Sequence, residues 1–162
     1  MSEKLAKLHN IAYFVSALAC ATEKNLGRGS HSICALAGKK FGREATRATA
    51  QTDDPEKAIE ILRVALKDMG IVWEFETFPG EKPTAMESRD GTIKIRVCFR
   101  SCMVRNALFR YSHEQKQSLC YMAHGVFAGA MEQVLPKYAA DLEIVHAGPN
   151  ACLKELVLEV KK

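Results

Sequence analysis

The chain has 162 residues, 48% of them apolar and 26% charged, and a formal net charge of +4. This composition is ordinary for a soluble globular protein, and so mild a charge gives no reason to expect nucleic acid as a partner. The longest apolar run, IAYFVSALACA from Ile11, is about half of the roughly 20 residues that cross a bilayer, so we expect no membrane span.

The length predicts a single domain, residues 1–162, with enough chain to bury a core. The N-terminal residues lack a signal-peptide pattern, and we therefore expect a cytoplasmic protein. In that compartment the six cysteines suit free thiols or metal ligands better than a disulfide framework.

Helical spacing of apolar residues predicts two helices at the start of the chain. The second spans residues 31–49 after a Ser30 cap. Gly38 and Gly42 lie on one of its faces and indicate close helix packing, because a glycine inside a helix otherwise costs about 1 kcal/mol. The first spans residues 3–25, and its apolar face consists of Leu5, Leu8, Ile11, Ala12, Val15, Leu18 and Ala19.

The third predicted helix has the clearest pattern in the chain. It lies within residues 52–70, with Asp54 as its cap, Pro55 in its first turn and Gly70 as its stop. A fourth helix is predicted over residues 112–135, closed by Pro136.

Alternating patterns predict the strands. They cover residues 71–78, 91–99, 141–147 and 152–160, with 86–88 as a further pairing strand. The last two long segments flank a Gly148-Pro149-Asn150 turn and form a hairpin. The order of elements predicts an α+β fold, an antiparallel sheet of about five strands covered by about four helices.

Between Gly91 and His113 the chain carries five cations and no acid. Two interpretations stay open at this point. The cations form a solvated face paired with the acids of WEFETF, or they form a cluster that receives a carboxylate or phosphate. The five residues are Lys94, Arg96, Arg100, Arg105 and Arg110.

A cysteine and a histidine, Cys120 and His124, lie one turn apart on the fourth predicted helix and share a face. His146 and Cys152 lie on either side of the hairpin turn. Glu143 and His146 are three residues apart, so they point to opposite faces of a regular strand. Both can bind one metal ion only if the strand bends or ends between them. Thiolate, imidazole and carboxylate are zinc ligands. The alternative is a core cysteine and a surface histidine.

The C-terminal third, LCYMAHGVFAGAMEQVL…LEIVHAGPNACLKELVLEV, resembles the 4-vinyl reductase domain family. These are small hydrocarbon-binding modules, found also as the aromatic-sensing domain of some bacterial transcription activators and related in fold to trafficking-complex subunits. Cys120 matches the family's first cysteine, Gly125 and Gly129 its helix glycines, Glu143 its acidic position and Cys152 its closing cysteine. His146 departs from the pattern, since relatives have cysteine there.

The resemblance implies a structural zinc ion held by Cys120, Glu143, His146 and Cys152, with His124 as the alternative to Glu143. It also implies an apolar pocket between sheet and helices, for which ordinary core packing is the alternative. The residues expected to line that pocket are Trp73, Phe99, Cys102, Phe109, Tyr121 and Phe127. Cys102 is also a candidate reactive thiol, whereas Cys20 and Cys34 are expected in the core.

Together these features predict a zinc-stabilised binding or sensory module for a small hydrophobic, aromatic or tetrapyrrole-like ligand, forming a homodimer through its first helix. The alternatives are an enzyme or enzyme accessory, in tetrapyrrole vinyl reduction or in hydrolysis of a small sulfur heterocycle, and a structural subunit of a larger complex. No nucleotide loop, catalytic triad or HExxH motif supports an enzyme.

Overall fold

The computed structural model describes residues 3–71, 73–78, 85–87, 91–102, 104–105 and 115–161. Within them the chain forms four helices and five strands. The helices are α1 (Glu3–Leu26), α2 (Gly29–Ala45), α3 (Pro55–Asp68) and α4 (Ser118–Val134). The strands are β1 (Glu74–Thr77), β2 (Ala85–Glu87), β3 (Ile93–Ser101), β4 (Tyr138–Ala147) and β5 (Cys152–Val160).

All strand pairs are antiparallel, and the sheet order is β1-β3-β5-β4. β2 occupies the same edge of β3 as β1, because β1 pairs with residues 97–101 of β3 and β2 with residues 93–95. Five strands therefore build a sheet that is four strands wide. The predicted α+β fold class is confirmed.

The core lies between the inner face of this sheet and the helices. Leu156 and Leu158 of β5 and Ile95 of β3 are fully buried on that face. α3 contributes Ile59, Leu62 and Leu66, the apolar stripe that the sequence predicts. Its cap is also confirmed, because the Asp54 carboxylate accepts hydrogen bonds from the backbone N–H groups of Glu56 and Lys57.

Helices α2 and α4 cross at their glycines. A Cβ atom added to Gly38 would lie 2.1 Å from the Met122 carbonyl oxygen, and one on Gly42 would lie 2.1 Å from that of Val126. Reciprocally, Gly125 faces the carbonyl of Ala35 and Gly129 that of Lys39, also at 2.1 Å. The close helix packing predicted from Gly38 and Gly42 is confirmed.

The apolar face predicted for α1 lies largely on the surface of the single chain. Ile11 is 61% exposed and Leu18 is 57% exposed, whereas the buried residues near them are Ser16 and Ala19. The helix turns its small side chains toward the protein and leaves the large ones outside. Cys20 of α1, which the sequence predicted in the core, is exposed. Cys34 of α2, also predicted in the core, is only half-buried.

Other predicted boundaries shift by a few residues. α2 ends at Ala45, four residues before its predicted end, and its Thr46 hydroxyl turns back to donate to the Gly42 carbonyl. β4 begins at Tyr138, three residues before its predicted start. The fourth predicted helix begins at Ser118, so its predicted residues 115–117 are wrong, and residues 112–114 lie outside the described residues.

Candidate functional site

Three of the four predicted zinc ligands lie on the hairpin, which places them on two faces of the sheet. Paired residues of an antiparallel ladder share a face, and on β5 Cys152 alternates with the buried Lys154, so it points inward. Glu143 pairs with Glu155, and His146 pairs with Leu153, so both point outward and both are exposed.

A bulge between Ile144 and His146 shifts the register by one residue. The strand thus bends as joint ligation requires, and Glu143 and His146 do share a face, but that face is opposite to the one that carries Cys152. Within the described residues no three His, Cys, Asp or Glu side chains are placed to hold one metal ion. The residues do not fit the implied zinc set in this arrangement, and zinc binding stays a prediction.

Three cysteines lie around one cavity, next to the start of α4 and the turn of the hairpin. Cys102, Cys120 and Cys152 line one cavity of about 30 Å³, together with Lys154 and His124. Burial raises the pKa of the Cys120 thiol. The guanidinium of Arg105 donates to the Cys152 sulfur at 3.5 Å. Cys120 and Cys152, the two predicted positions from distant parts of the chain, therefore do reach the same place.

Lys154 is the buried charge of this cluster, with 6% of its surface exposed. Burial lowers the pKa of its ammonium, and the neighbouring thiols of Cys102, Cys120 and Cys152 oppose that effect. Its Nζ lies 4.6 Å from the centre of the Phe99 ring, a cation–π contact. An ammonium on the inner face of a sheet is costly unless something pairs with it.

His124 lies beside Lys154 and is 4% exposed. Its Nε2 atom is buried without a hydrogen-bond partner. Burial, with the charge of Lys154 as a second cause, lowers the pKa of the imidazole to about 3. The ring is therefore neutral near pH 7, and it holds one unused polar atom, which is uncommon in a protein interior.

A larger groove of about 1020 Å³ lies on the other side of His124. Its walls come from α2, α4 and β4, and it shares Lys116, His124 and Ile144 with the smaller cavity. Tyr121 lines the groove and stacks on His31 with ring centres 4.3 Å apart. Across the entrance to α4, the Glu23 carboxylate of α1 accepts the backbone N–H of Ser118 at 2.8 Å.

The aromatic residues predicted to line a pocket divide into two groups. Trp73, Phe99 and Phe127 are buried against one another, with ring centres 5.4 to 6.3 Å apart, and they line neither cavity. They follow the alternative of ordinary core packing. Tyr121 and Cys102 do line cavities, and Phe109 lies outside the described residues.

Among the described residues of the basic segment, Arg100 follows the first interpretation and Lys94 pairs with a different acid. Arg100 pairs with Glu76 of the WEFETF segment at 2.7 Å. Lys94 pairs with Glu155 at 3.0 Å. Arg105 differs, because it lines the smaller cavity, and Arg110 lies outside the described residues.

Sequence reasoning missed Lys154 and Lys116. A signal for Lys154 was present in CLKELVLEV, where alternation places it on the same face as Leu156 and Leu158. Lys116 gave no such signal. Its backbone has a φ of 64°, the left-handed region that side chains other than glycine rarely adopt.

Two solved structures share this fold. One is the phenol-responsive sensory domain of the transcription activator PoxR with phenol, at a TM-score of 0.56 and 13% identity, covering 91% of this chain and 73% of that one. The other is trafficking protein particle complex subunit 3 from Naegleria fowleri covalently bound to palmitic acid, at a TM-score of 0.52 and 14% identity, covering 95% and 99%.

No protein-family model matches the chain, and no curated protein matches it in sequence. The structural likeness therefore establishes the fold, which is the fold that the sequence resemblance implied. Among the described residues, none of the helices combines the length and apolarity that a membrane crossing requires.

Proposed function

We propose that the chain is a small-molecule-binding domain of the sensory type, a divergent relative of the 4-vinyl reductase modules. The observation that carries the proposal is His124, which lines both cavities and whose buried Nε2 has no hydrogen-bond partner. A polar atom so placed is ready to bind a group that the protein itself does not supply.

The comparisons support this proposal. PoxR's domain binds phenol and the trafficking subunit carries palmitic acid, so both neighbours hold a small molecule with an apolar body. The larger groove has apolar side chains from Leu36, Ala128 and Leu142 in its walls. Half of its lining residues are polar or charged, including Asp141 and Glu159. The apolar part of this wall is the part that suits the body of such a ligand.

The test titrates the protein with phenol and, as a matched control ligand, with toluene, which has the same shape without a hydroxyl. We expect phenol to bind more tightly by about tenfold, because one hydrogen bond to a buried atom contributes about 1 kcal/mol or more. The His124→Leu variant loses this preference. NMR shifts of the Tyr121 and His124 amides locate the site. If phenol, toluene and an aromatic carboxylate or amide such as benzoate or benzamide all fail to bind near these residues, the proposal is wrong.

We propose separately that the chain binds a zinc ion, and the family resemblance is the support for this proposal. Elemental analysis of the purified protein decides it, with Cys120→Ser as the variant. About one zinc per chain, lost in the variant, would mean that Glu143 and His146 reach the thiols in a different placement of β4. A metal-free protein of unchanged stability would mean that the thiols line their cavity without a metal.

We also propose that two copies pair through α1. Residues 10–22 carry no charge, so no like-charge repulsion opposes self-association. Phe14 is 68% exposed, and Ile11, Tyr13 and Leu18 are exposed with it. The exposed apolar side chains continue on α2 with Ile33, Leu36 and Phe41. A two-fold interface is self-complementary, and such an apolar surface meets that condition.

Nothing among the described residues favours either of the predicted enzyme activities, and no reaction is proposed. The exposed surface of α1 could instead bind a different protein, as in a larger complex. A measurement of the chain's mass in solution distinguishes this from pairing between two copies.

A further inference from the structure

The smaller cavity is lined by positive charge. Arg105, Lys116 and Lys154 reach it from three separate parts of the chain. Among the described residues that line it there is no aspartate or glutamate. Elsewhere in the described structure several cations pair with carboxylates, as in Arg100–Glu76 and Lys137–Asp53. Three cations around one small cavity without a carboxylate among its described lining residues suit a negative charge from outside the chain.

Lys154 strengthens this argument. Its ammonium contacts the face of the Phe99 ring, and its side chain is almost wholly buried. A buried ion costs free energy that an aromatic face offsets only partly, whereas an anion at hydrogen-bond distance offsets more of it. Arg105 uses one guanidinium nitrogen on Cys152 and another on the Arg100 carbonyl. Its five N–H donors leave further capacity for an anion.

The size of the cavity restricts the anion. A volume of about 30 Å³ holds one or two atoms of the size of oxygen. A planar carboxylate fits such a space better than a tetrahedral phosphate. The rest of the molecule would lie beyond Lys116, His124 and Ile144, in the larger groove that shares these walls.

We infer that the ligand is a small apolar carboxylate, with its carboxylate in the smaller cavity against Lys154 and Arg105 and its apolar body in the larger groove. This inference rests on the proposed function and adds the ligand's chemical class. The unpartnered His124 Nε2 lies at the junction between head and body, where it orients the molecule.

The test uses the full chain and three probes: benzoate, its neutral isostere benzamide, and phenyl phosphate. We expect calorimetry to show that benzoate binds at least tenfold more tightly than benzamide. A tenfold difference in Kd corresponds to roughly 1.4 kcal/mol, and the coupling energy of one close charge pair is larger than that. Phenyl phosphate should bind less tightly than benzoate. Lys154→Met should remove the preference for benzoate over benzamide.

A second readout separates a ligand role from a structural one. If Lys154 serves the ligand, Lys154→Met should have an equal or higher Tm without ligand, because a buried charge is replaced by an apolar chain. Lys137→Met, an exposed lysine paired with Asp53, is the matched control and should change neither affinity. Arg105→Gln carries the same test if Lys154→Met does not fold.

Equal affinities for benzoate and benzamide at the Tyr121–His124 site would overturn the inference and leave the binding function intact. Tighter binding of phenyl phosphate than of benzoate would overturn the carboxylate as the ligand's anionic group and indicate a phosphate. Failure of benzoate, benzamide and phenol alike to bind would overturn both the inference and the proposed function.

Discussion

Glu132 of α4 is a buried carboxylate with partners on two other elements, α2 and β4. Its side chain is 3% exposed, and it pairs with Lys39 at 2.8 Å and with Arg43, both on α2. It also accepts the backbone N–H of Ala140 on β4 at 3.0 Å. Burial alone would raise the pKa of this carboxyl, but Lys39, the Ala140 N–H and Arg43 outweigh it and lower the pKa. The residue thus ties α4 to both of its neighbours.

We expect Glu132→Gln to lower the free energy of unfolding by about 2–3 kcal/mol at neutral pH, because a buried charge pair loses one partner. A carboxyl whose pKa is lowered in the folded state contributes stability above its unfolded pKa of about 4.5, and that contribution is lost as the pH falls further. The difference between variant and wild type should therefore shrink below about pH 4.5 in urea unfolding.

The control for this prediction is Glu60→Gln. Glu60 and Arg63 form an exposed pair one turn apart on α3. Such a pair contributes little, so the change should be within about 0.5 kcal/mol. An equal effect of the two substitutions, or a Glu132→Gln effect that does not depend on pH, would contradict the role assigned to Glu132.

At the scale of helices, the α2–α4 crossing depends on the absence of side chains. Gly42→Ala places a Cβ atom 2.1 Å from the Val126 carbonyl oxygen, which is backbone and cannot rotate away. We expect a loss of roughly 3 kcal/mol or more in urea unfolding, because the two helices have to separate. Gly29→Ala is the matched control, with its nearest neighbour, the Leu26 Cβ, at 3.9 Å. It should be neutral or stabilising by about 1 kcal/mol. Equal stability of the two variants would contradict the crossing.

The same helices show what a sequence pattern can predict. The α3 stripe and its Asp54 cap depend on local spacing, and so do Gly38 and Gly42, whose cost in an isolated helix indicates a close neighbour. The inward face of α1 could not be predicted in this way. Periodicity identifies the larger apolar residues, but here Ser16 and Ala19 face the protein, because the position of a helix is set by its neighbours and not by its own composition.

For the site, the resemblance implied that Cys120 and Cys152 lie near each other, and both line the smaller cavity. It did not predict the faces of Glu143 and His146, because these depend on a one-residue bulge that no pattern indicates. Lys154 could have been found by treating a lysine on an apolar strand face as a buried charge. A charged residue on an otherwise apolar face therefore indicates a ligand site better than aromatic residues do. The aromatic residues here fill the core.

At the scale of the whole molecule, the exposed residues of α1 predict the oligomeric state. A stable interface buries about 800 Å² on each partner, and the apolar residues of α1 and α2 are the surface on which self-association would depend. We expect the wild-type chain to have the mass of a dimer in light scattering. The double substitution Phe14→Ser and Leu18→Ser should give a folded monomer, because both side chains are exposed in the single chain, and its unfolding should no longer depend on protein concentration.

Val64→Ser is the control for this last prediction. Val64 is also exposed, on α3, far in sequence from α1, and its replacement should leave the dimer mass unchanged. A wild-type protein that remains monomeric at high concentration would contradict pairing between copies, and the same apolar surface would then indicate a different protein as partner. If the α1 variant dissociates and still binds phenol, the ligand site is complete within one chain, as the placement of His124 inside the single chain requires.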